Sequence, residues 1–221
     1  MLFKKTKDKF NYKEKQFMKN VTIQKCIYAL VGIFLVGVGV SFNALAGLGN
    51  DPVAIFYDGI RNLLNMSYEQ FGLASNLVNY ALIIILFFIA RRYISIGTII
   101  YILPYGTFVD IGTLLYEKVF ASQTLTSTII ACIIGTILIY IGVAIFIVMD
   151  MGLDPMTASA KLLGDKLKWD FREAKILFDI FLIAIGFLLG GKLGIVTIIT
   201  ACTAGPLIQS FSTKLRKKLK Y

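Results

Sequence analysis

Apolar residues in this chain fall into six long blocks, and that pattern restricts the possible folds more than any other feature. A helix that crosses a bilayer needs about 20 consecutive, mostly apolar residues. Blocks of that kind cover about 24–48, 70–90, 94–116, 126–149, 173–190 and 193–212. They occupy nearly all of the 221 residues and leave no room for a separate soluble domain. Composition agrees: 57% of residues are hydrophobic, 16% are charged and mean hydropathy is +0.75. The expected fold class is an all-α polytopic membrane protein with six transmembrane helices.

The +10 net charge is concentrated at the ends. Residues 1–25 hold eight lysines, and the stretch 213–221 holds Lys214, Arg216, Lys217, Lys218 and Lys220 with no acid. Basic runs that flank membrane segments point to anionic lipid rather than nucleic acid. The sequence reading assigns no nucleic-acid partner. Basic residues mark the cytoplasmic side. The N-terminal arm, Arg91-Arg92, the 150–172 segment and the tail alternate correctly with six spans, so both termini are expected in the cytoplasm of a bacterial cell.

The chain contains no His, and Cys26, Cys132 and Cys202 stand alone. No metal-ligand spacing and no Ser/His or Cys/His arrangement is present. The expectation is therefore no enzyme, no cofactor and no metal site. Ala44-Leu45-Ala46 has the small-x-small form of a leader cleavage site, but the apolar run continues past it. That segment is taken as a retained span.

The two halves repeat. Gly49-Asn50-Asp51-Pro52 matches Gly152-Leu153-Asp154-Pro155, and Gly39 matches Gly142. Thr98 and Gly106 match Thr197 and Gly205. Three spans per copy make the copies enter the membrane from opposite sides, an inverted-topology repeat. The expected division is a basic arm (1–23), a first repeat (24–118), an external loop (119–125), a second repeat (126–212) and a basic tail (213–221). In each Gly-x-Asp-Pro motif, Asp caps a helix and Pro opens it. Residues 52–65 and 155–168 then read as short amphipathic helices at the interface.

In order, Gly142-Val143-Ala144, Met151-Gly152-Leu153-Asp154-Pro155, Gly194-Ile195-Val196-Thr197 and Gly205-Pro206 resemble the YczE-like bacterial membrane proteins, relatives of the YitT group. The resemblance covers about 27–212. The first half departs from it at Thr107, which stands where the second half has Pro206. The resemblance implies a cell-membrane protein without established chemistry.

The third and sixth blocks are interrupted at matching places, by Pro104 and Gly106 in one and by Gly205 and Pro206 in the other. Interrupted helices in two halves mark a transport site, whereas small residues also serve close helix packing. The candidate substrate-binding residues are Thr98, Gly106, Asp110, Thr197, Gly205 and Gln209, joined by Asn76 and Asn79. Asp179 has Lys175 one turn before it, the spacing of an i,i+4 ion pair. The expected function is transport or export of a small solute. The alternatives are a capture subunit of an ATPase-driven uptake complex, or a non-transporting regulator. A homodimer or a partner subunit is compatible with any of them.

Overall fold

The computed structural model describes residues 22–120 and 124–219. Most of the basic arm, the centre of the 119–125 loop and the last two residues lie outside them. The described residues form eight α-helices and no strand. They are α1 (Ile23–Ala46), α2 (Pro52–Leu63), α3 (Phe71–Ile89), α4 (Ile96–Val119), α5 (Leu125–Met149), α6 (Pro155–Leu167), α7 (Phe171–Leu188) and α8 (Ile195–Leu219).

Five helical stretches are long and apolar enough to cross a membrane: α1, α4, α5, α8 and Tyr68–Ile89, which is α3 with its preceding turn. One of the six expected blocks, α7, falls outside that set. Its 18 residues suffice in length, but Arg172, Glu173, Lys175 and Asp179 crowd its first half. The sixth block also differs in extent, because α8 continues as helix through Lys214 to Leu219 instead of yielding to a tail at 213.

The core is built on α1 and α5, which cross through glycines. A methyl group on Gly32 would lie 2.8 Å from the Gly142 carbonyl oxygen, and one on Gly142 would lie 2.4 Å from that of Gly32. Gly39 and Gly135 repeat the contact, at 2.4 and 2.8 Å. As numbers rise along α1 they fall along α5, so the two helices run antiparallel. α4 packs on α1 in the same manner, with Gly37 against Phe108 and Val109 and Gly112 against Val38 and Ser41. Ser41 Oγ donates to the Val109 carbonyl at 2.5 Å.

The loops after α1 and α5 tie the halves together reciprocally. Gly97 N–H, at the start of α4, donates to the Met151 carbonyl at 3.0 Å, and Val196 N–H, at the start of α8, donates to that of Leu48 at 3.0 Å. Gly49 and Gly152 have φ of +101° and +134°, a region where only glycine is comfortable. A methyl group on Gly49 would strike Gly194 N at 2.6 Å, and one on Gly152 would strike Ser95 Oγ at 1.7 Å.

The halves differ in tightness. Within the first, α3 and α4 touch backbone to backbone, a methyl group on Gly72 lying 2.1 Å from the Gly106 carbonyl. No comparable packing joins α7 to α8. In the apolar window of α1, 61% of residues are buried, against 22% in that of α8; α8 therefore lies at the rim, held chiefly by α5.

The short helix α2 packs into the protein. Its polar residues Asp58 and Arg61 are buried rather than solvated. The helix is drawn in because Gly59 meets the Gly186 backbone of α7, where a methyl group would lie 2.6 Å from the carbonyl oxygen. The matching pair on the other side is bulkier: Leu162 of α6 and Leu86 of α3 meet in one apolar cluster with Tyr93 and Ala158.

Candidate functional site

The two Gly-x-Asp-Pro loops build the site. Gly47 ends α1 in a left-handed conformation, φ +72°, and the chain then doubles back along its own helix. Asn50 Nδ2 reaches the Val40 carbonyl at 3.0 Å, about 9 Å below the helix end at a rise of ~1.5 Å per residue. Asp51 follows in extended conformation, and its Oδ1 accepts from Val53 N at 3.0 Å and Ala54 N at 3.3 Å. Asp154 does the same, its Oδ1 accepting from Met156 N and Thr157 N at 3.0 Å each. In each carboxylate one oxygen caps a helix, while the other accepts no hydrogen bond from the described residues.

Both caps lie within electrostatic reach of the same groups. Asp51 and Asp154 each act electrostatically on Tyr57, Tyr101 and Tyr105. Lys175 and Asp179 of α7 act on Asp51, and Asp154 acts on Asp179. Lys175 and Asp179 form the i,i+4 ion pair that their spacing suggests, with side chains 30% and 26% exposed. Asp51 and Asp154 also retain partial exposure.

Tyrosines wall the cluster. Tyr101 stacks on Tyr105 at 5.1 Å between ring centroids, and Tyr57 lies 6.1 Å from Tyr105 at a tilt. Tyr57 Oη donates to Asn79 Oδ1 at 3.0 Å. The amide nitrogen of Asn79, fully buried, has no partner. Buried amides are normally paired; Asn43 Oδ1, Tyr68 Oη and Ser212 Oγ are likewise buried without a partner among the described residues. Tyr140, within the field of Asp51, shares a 2.8 Å hydrogen bond with Thr203 of α8.

α6 and α7 flank an open apolar groove of about 430 Å³, lined by Leu162, Leu163, Leu177, Phe178 and Phe181 with Ser159 and Lys166. At the far end of α6, Asp165 accepts from Arg92 at 2.8 Å and from the Tyr93 hydroxyl. Burial first, and then the bond to Asp165, hold the Tyr93 phenol above its usual range. It therefore remains a donor at neutral pH.

Of the eight residues that the sequence nominates, only Asn79 reaches this cluster. Thr98 is fully buried, and its hydroxyl donates to the Leu153 carbonyl at 2.6 Å. Thr197 stands in the matching place at the start of α8, its Oγ1 accepting from Gly194 N at 3.4 Å. Asn76 Oδ1 accepts from Gly106 N at 3.0 Å, two residues past Pro104. Asp110 Oδ1 accepts from Gly72 N at 3.0 Å, which places a carboxylate at the positive end of α3. Gly205 and Gln209 are exposed on α8, and open space surrounds Gly205. The structure therefore does not bring the two interrupted helices together. The first loop is folded back on its helix by Asn50, and both loops place an Asp cap at the start of a short helix.

Long apolar helices packed through glycines around a polar interior define a multi-pass α-helical membrane protein. The chain belongs to the family of unknown function DUF6198, which matches residues 23–213. It is similar to an uncharacterized protein of Haemophilus influenzae, 27% identical over 183 residues, covering 82% of this chain and 80% of the relative. It is also similar to the uncharacterized membrane protein YczE of Bacillus subtilis, 24% identical over 200 residues and 88% of each chain. A third relative, the uncharacterized protein YyaS of Bacillus subtilis, is 22% identical over 187 residues, 85% of this chain and 92% of the relative. The YczE-like resemblance of the sequence is thereby borne out. No solved structure matches the chain.

Proposed function

We propose that the protein is a small-solute transporter of the bacterial cell membrane, built from two inverted three-span repeats, that holds its solute in the cluster of Asp51, Asp154, Lys175, Asp179 and the tyrosines. One observation carries the reading: the capped starts of two repeat-related short helices, both half-buried, lie within electrostatic reach of the same buried tyrosines. Polar groups at membrane depth are costly and serve solute or ion pathways, and half-helix starts facing a central cavity are a transporter device.

The inverted relation is supported by the glycine contacts. Exchanging the two halves carries the Gly32–Gly142 contact onto Gly39–Gly135, and the Gly97–Met151 bond onto Val196–Leu48. A two-fold that exchanges antiparallel helices is perpendicular to both, and therefore lies in the membrane plane. α7 completes the sixth span, with the Lys175–Asp179 pair half-buried along it.

The two ends differ in a way that suits alternating access. Around Gly59 and Gly186 the halves meet at backbone contact, reinforced by Asn62 Nδ2 donating to the Gly190 carbonyl at 2.6 Å. At the opposite end the leucine-spaced contact is latched by the exposed Arg92–Asp165 pair, 58% and 46% exposed, and such a pair contributes about 0–1 kcal/mol. The described conformation is thus closed at the first end and lightly latched at the second. Spin labels at positions 65 and 190, and separately at 92 and 166, test this by electron–electron distance measurement in bilayers. A transporter gives two populations in each pair, the first widening under conditions that narrow the second. One fixed distance for both pairs would sink the transport reading.

Both termini are proposed to be cytoplasmic. In a background lacking Cys26, Cys132 and Cys202, an impermeant thiol reagent on intact cells is expected to label a cysteine at position 65 and spare one at 166. The opposite pattern would invert the topology.

A further inference from the structure

We infer that the open groove between α6 and α7 holds one anionic phospholipid, with an acyl chain along its apolar walls and the phosphate at Lys166. Such a site requires only that the chain lies in a membrane, and it stands whether or not the protein transports a solute. Helix periodicity builds the groove. Leu162, Leu163 and Lys166 follow Ser159 at three, four and seven residues, so they share one face of α6. Leu177, Phe178 and Phe181 of α7 line the other side. The two helices touch at Gly164, where an added methyl group would lie 3.1 Å from the Ala174 side chain. Beside that contact they part, and the space between them is about 430 Å³, within the ~300–1,000 Å³ range of ligand pockets. Leu177 and Phe181 are 40% and 55% exposed, so the groove is open to the bilayer.

The lining selects a molecule that is hydrocarbon with one anionic end. Ser159 carries the one hydroxyl among the lining side chains, and it donates to the Pro155 carbonyl at 2.8 Å. The remaining polar group is the Lys166 ammonium. Among the described residues it enters no ion pair. Its neighbour Asp165 is bound by Arg92, and Asp170 and Glu173 lie further on, beside Lys168 and Arg172. A compact polar solute would leave the apolar walls bare. A zwitterionic lipid fits the walls but brings its own ammonium toward Lys166. A phospholipid of net negative charge suits both the walls and the cation.

The level of Lys166 agrees with a headgroup site. It stands in the last turn of α6, and Trp169 and Phe171 follow it, each 47% exposed. Tryptophan collects at the boundary between hydrocarbon and water. Arg92, Lys168 and Arg172 are exposed at the same end, and cations at that level attract anionic headgroups. From there the groove runs inward to Phe181, about 15 Å along α7 from Phe171 at ~1.5 Å per residue. An acyl chain takes that direction from the membrane surface.

Trp169 is the only tryptophan in the chain, so its fluorescence reports on this end of the groove alone. The purified full chain is placed in phosphatidylcholine vesicles containing a rising fraction of phosphatidylglycerol with brominated, quenching acyl chains. Brominated phosphatidylcholine is the comparison. Phosphatidylglycerol is expected to quench Trp169 saturably, with half-quenching at about fivefold lower mole fraction, the ratio that ~1 kcal/mol per lysine near the surface represents. Lys166→Gln is expected to abolish that preference. Lys161→Gln is expected to keep it, because Lys161 is exposed on the same helix but turned about 140° from Lys166 at 3.6 residues per turn. Ser159→Phe puts a ring into the groove and is expected to remove the saturable component for both lipids. Equal half-quenching fractions for the two lipids overturn the assignment. Equal losses from Lys161→Gln and Lys166→Gln also overturn it, because they mark a diffuse anionic annulus without a site. Absence of quenching by either lipid, in a chain that migrates as a dimer, gives the groove to a second copy instead.

Discussion

Replacing Gly39 with leucine is expected to reduce the folded protein recovered from membranes by an order of magnitude or more. The central crossing of α1 and α5 admits no side chain there. The first added carbon would lie 2.4 Å from the Gly135 carbonyl oxygen and 2.8 Å from Ile139. The nearest atom belongs to backbone, which cannot rotate aside, so the two helices must separate. Overpacking a core costs typically ~1–3 kcal/mol, and a leucine wedged between backbones lies above that range. Separation also forfeits the Gly32–Gly142 contact one end along and the Asn43–Thr136 hydrogen bond, 3.2 Å. Gly205→Leu is the control, since open space surrounds that position, and it is expected to leave the yield unchanged. Fluorescence-detected gel filtration of tagged variants in mild detergent reads both. Equal yields for the two variants would remove the glycine crossing as the centre of the fold.

The second large effect is expected at Arg61. Its side chain and that of Asp58 are 7% and 8% exposed. Arg61 Nε donates to Asp58 Oδ1 at 2.9 Å, and its two terminal nitrogens donate to the Met66 carbonyl and Asn62 Oδ1 at 2.6 Å each. The guanidinium also lies 3.9 Å over the Tyr68 ring. Arg61→Met leaves the Asp58 carboxylate buried with Lys192 N–H as its remaining donor, at 3.0 Å. Breaking a buried pair from one side costs ~3–5 kcal/mol. Removing both charges in Asp58→Leu with Arg61→Met eliminates the stranded carboxylate and is expected to recover part of the loss. Thermal unfolding of the purified variants in detergent compares them. A single variant as stable as the unsubstituted chain, or a double variant worse than the single, would mean that the pair is hydrated in the membrane.

What the sequence could express about this fold is what repeats in it. Apolar blocks of helical length locate the spans within a few residues, and the doubled Gly-x-Asp-Pro locates α2 and α6 with their caps. Glycines in α1 and α5 announce close packing but not its partners; that Gly39 faces Gly135 rather than Gly142 depends on antiparallel pairing between distant segments. The polar interior was harder to read. Asp51 and Asp154 are ordinary caps in isolation, and what packs around them is set by distant segments. The charges of Lys175 and Asp179 were visible, but an i,i+4 pair on one helix says nothing about the loops brought against it. Pro104 with Gly106, and Gly205 with Pro206, match in sequence yet diverge in surroundings. Asn76 fills the first interruption, while the second lies open on α8.

The reciprocal bonds between the loops and the starts of α4 and α8 bear on how such a chain could have arisen. The Gly97 N–H is satisfied only from the other half, and so is that of Val196. On the proposed inverted-repeat reading, an ancestor with one copy of this unit would have met the same need by pairing with a second molecule inserted upside down. That arrangement requires a polypeptide with little charge bias between its two sides, so that the cell inserts it in both orientations. Joining two genes end to end would then have released each copy to fix one orientation through its own lysines and arginines. It would also have let one copy keep tyrosines at 57 and 105 where the other carries Ala160 and Ala204. A homodimer cannot make that division of labour, because every substitution appears in it twice.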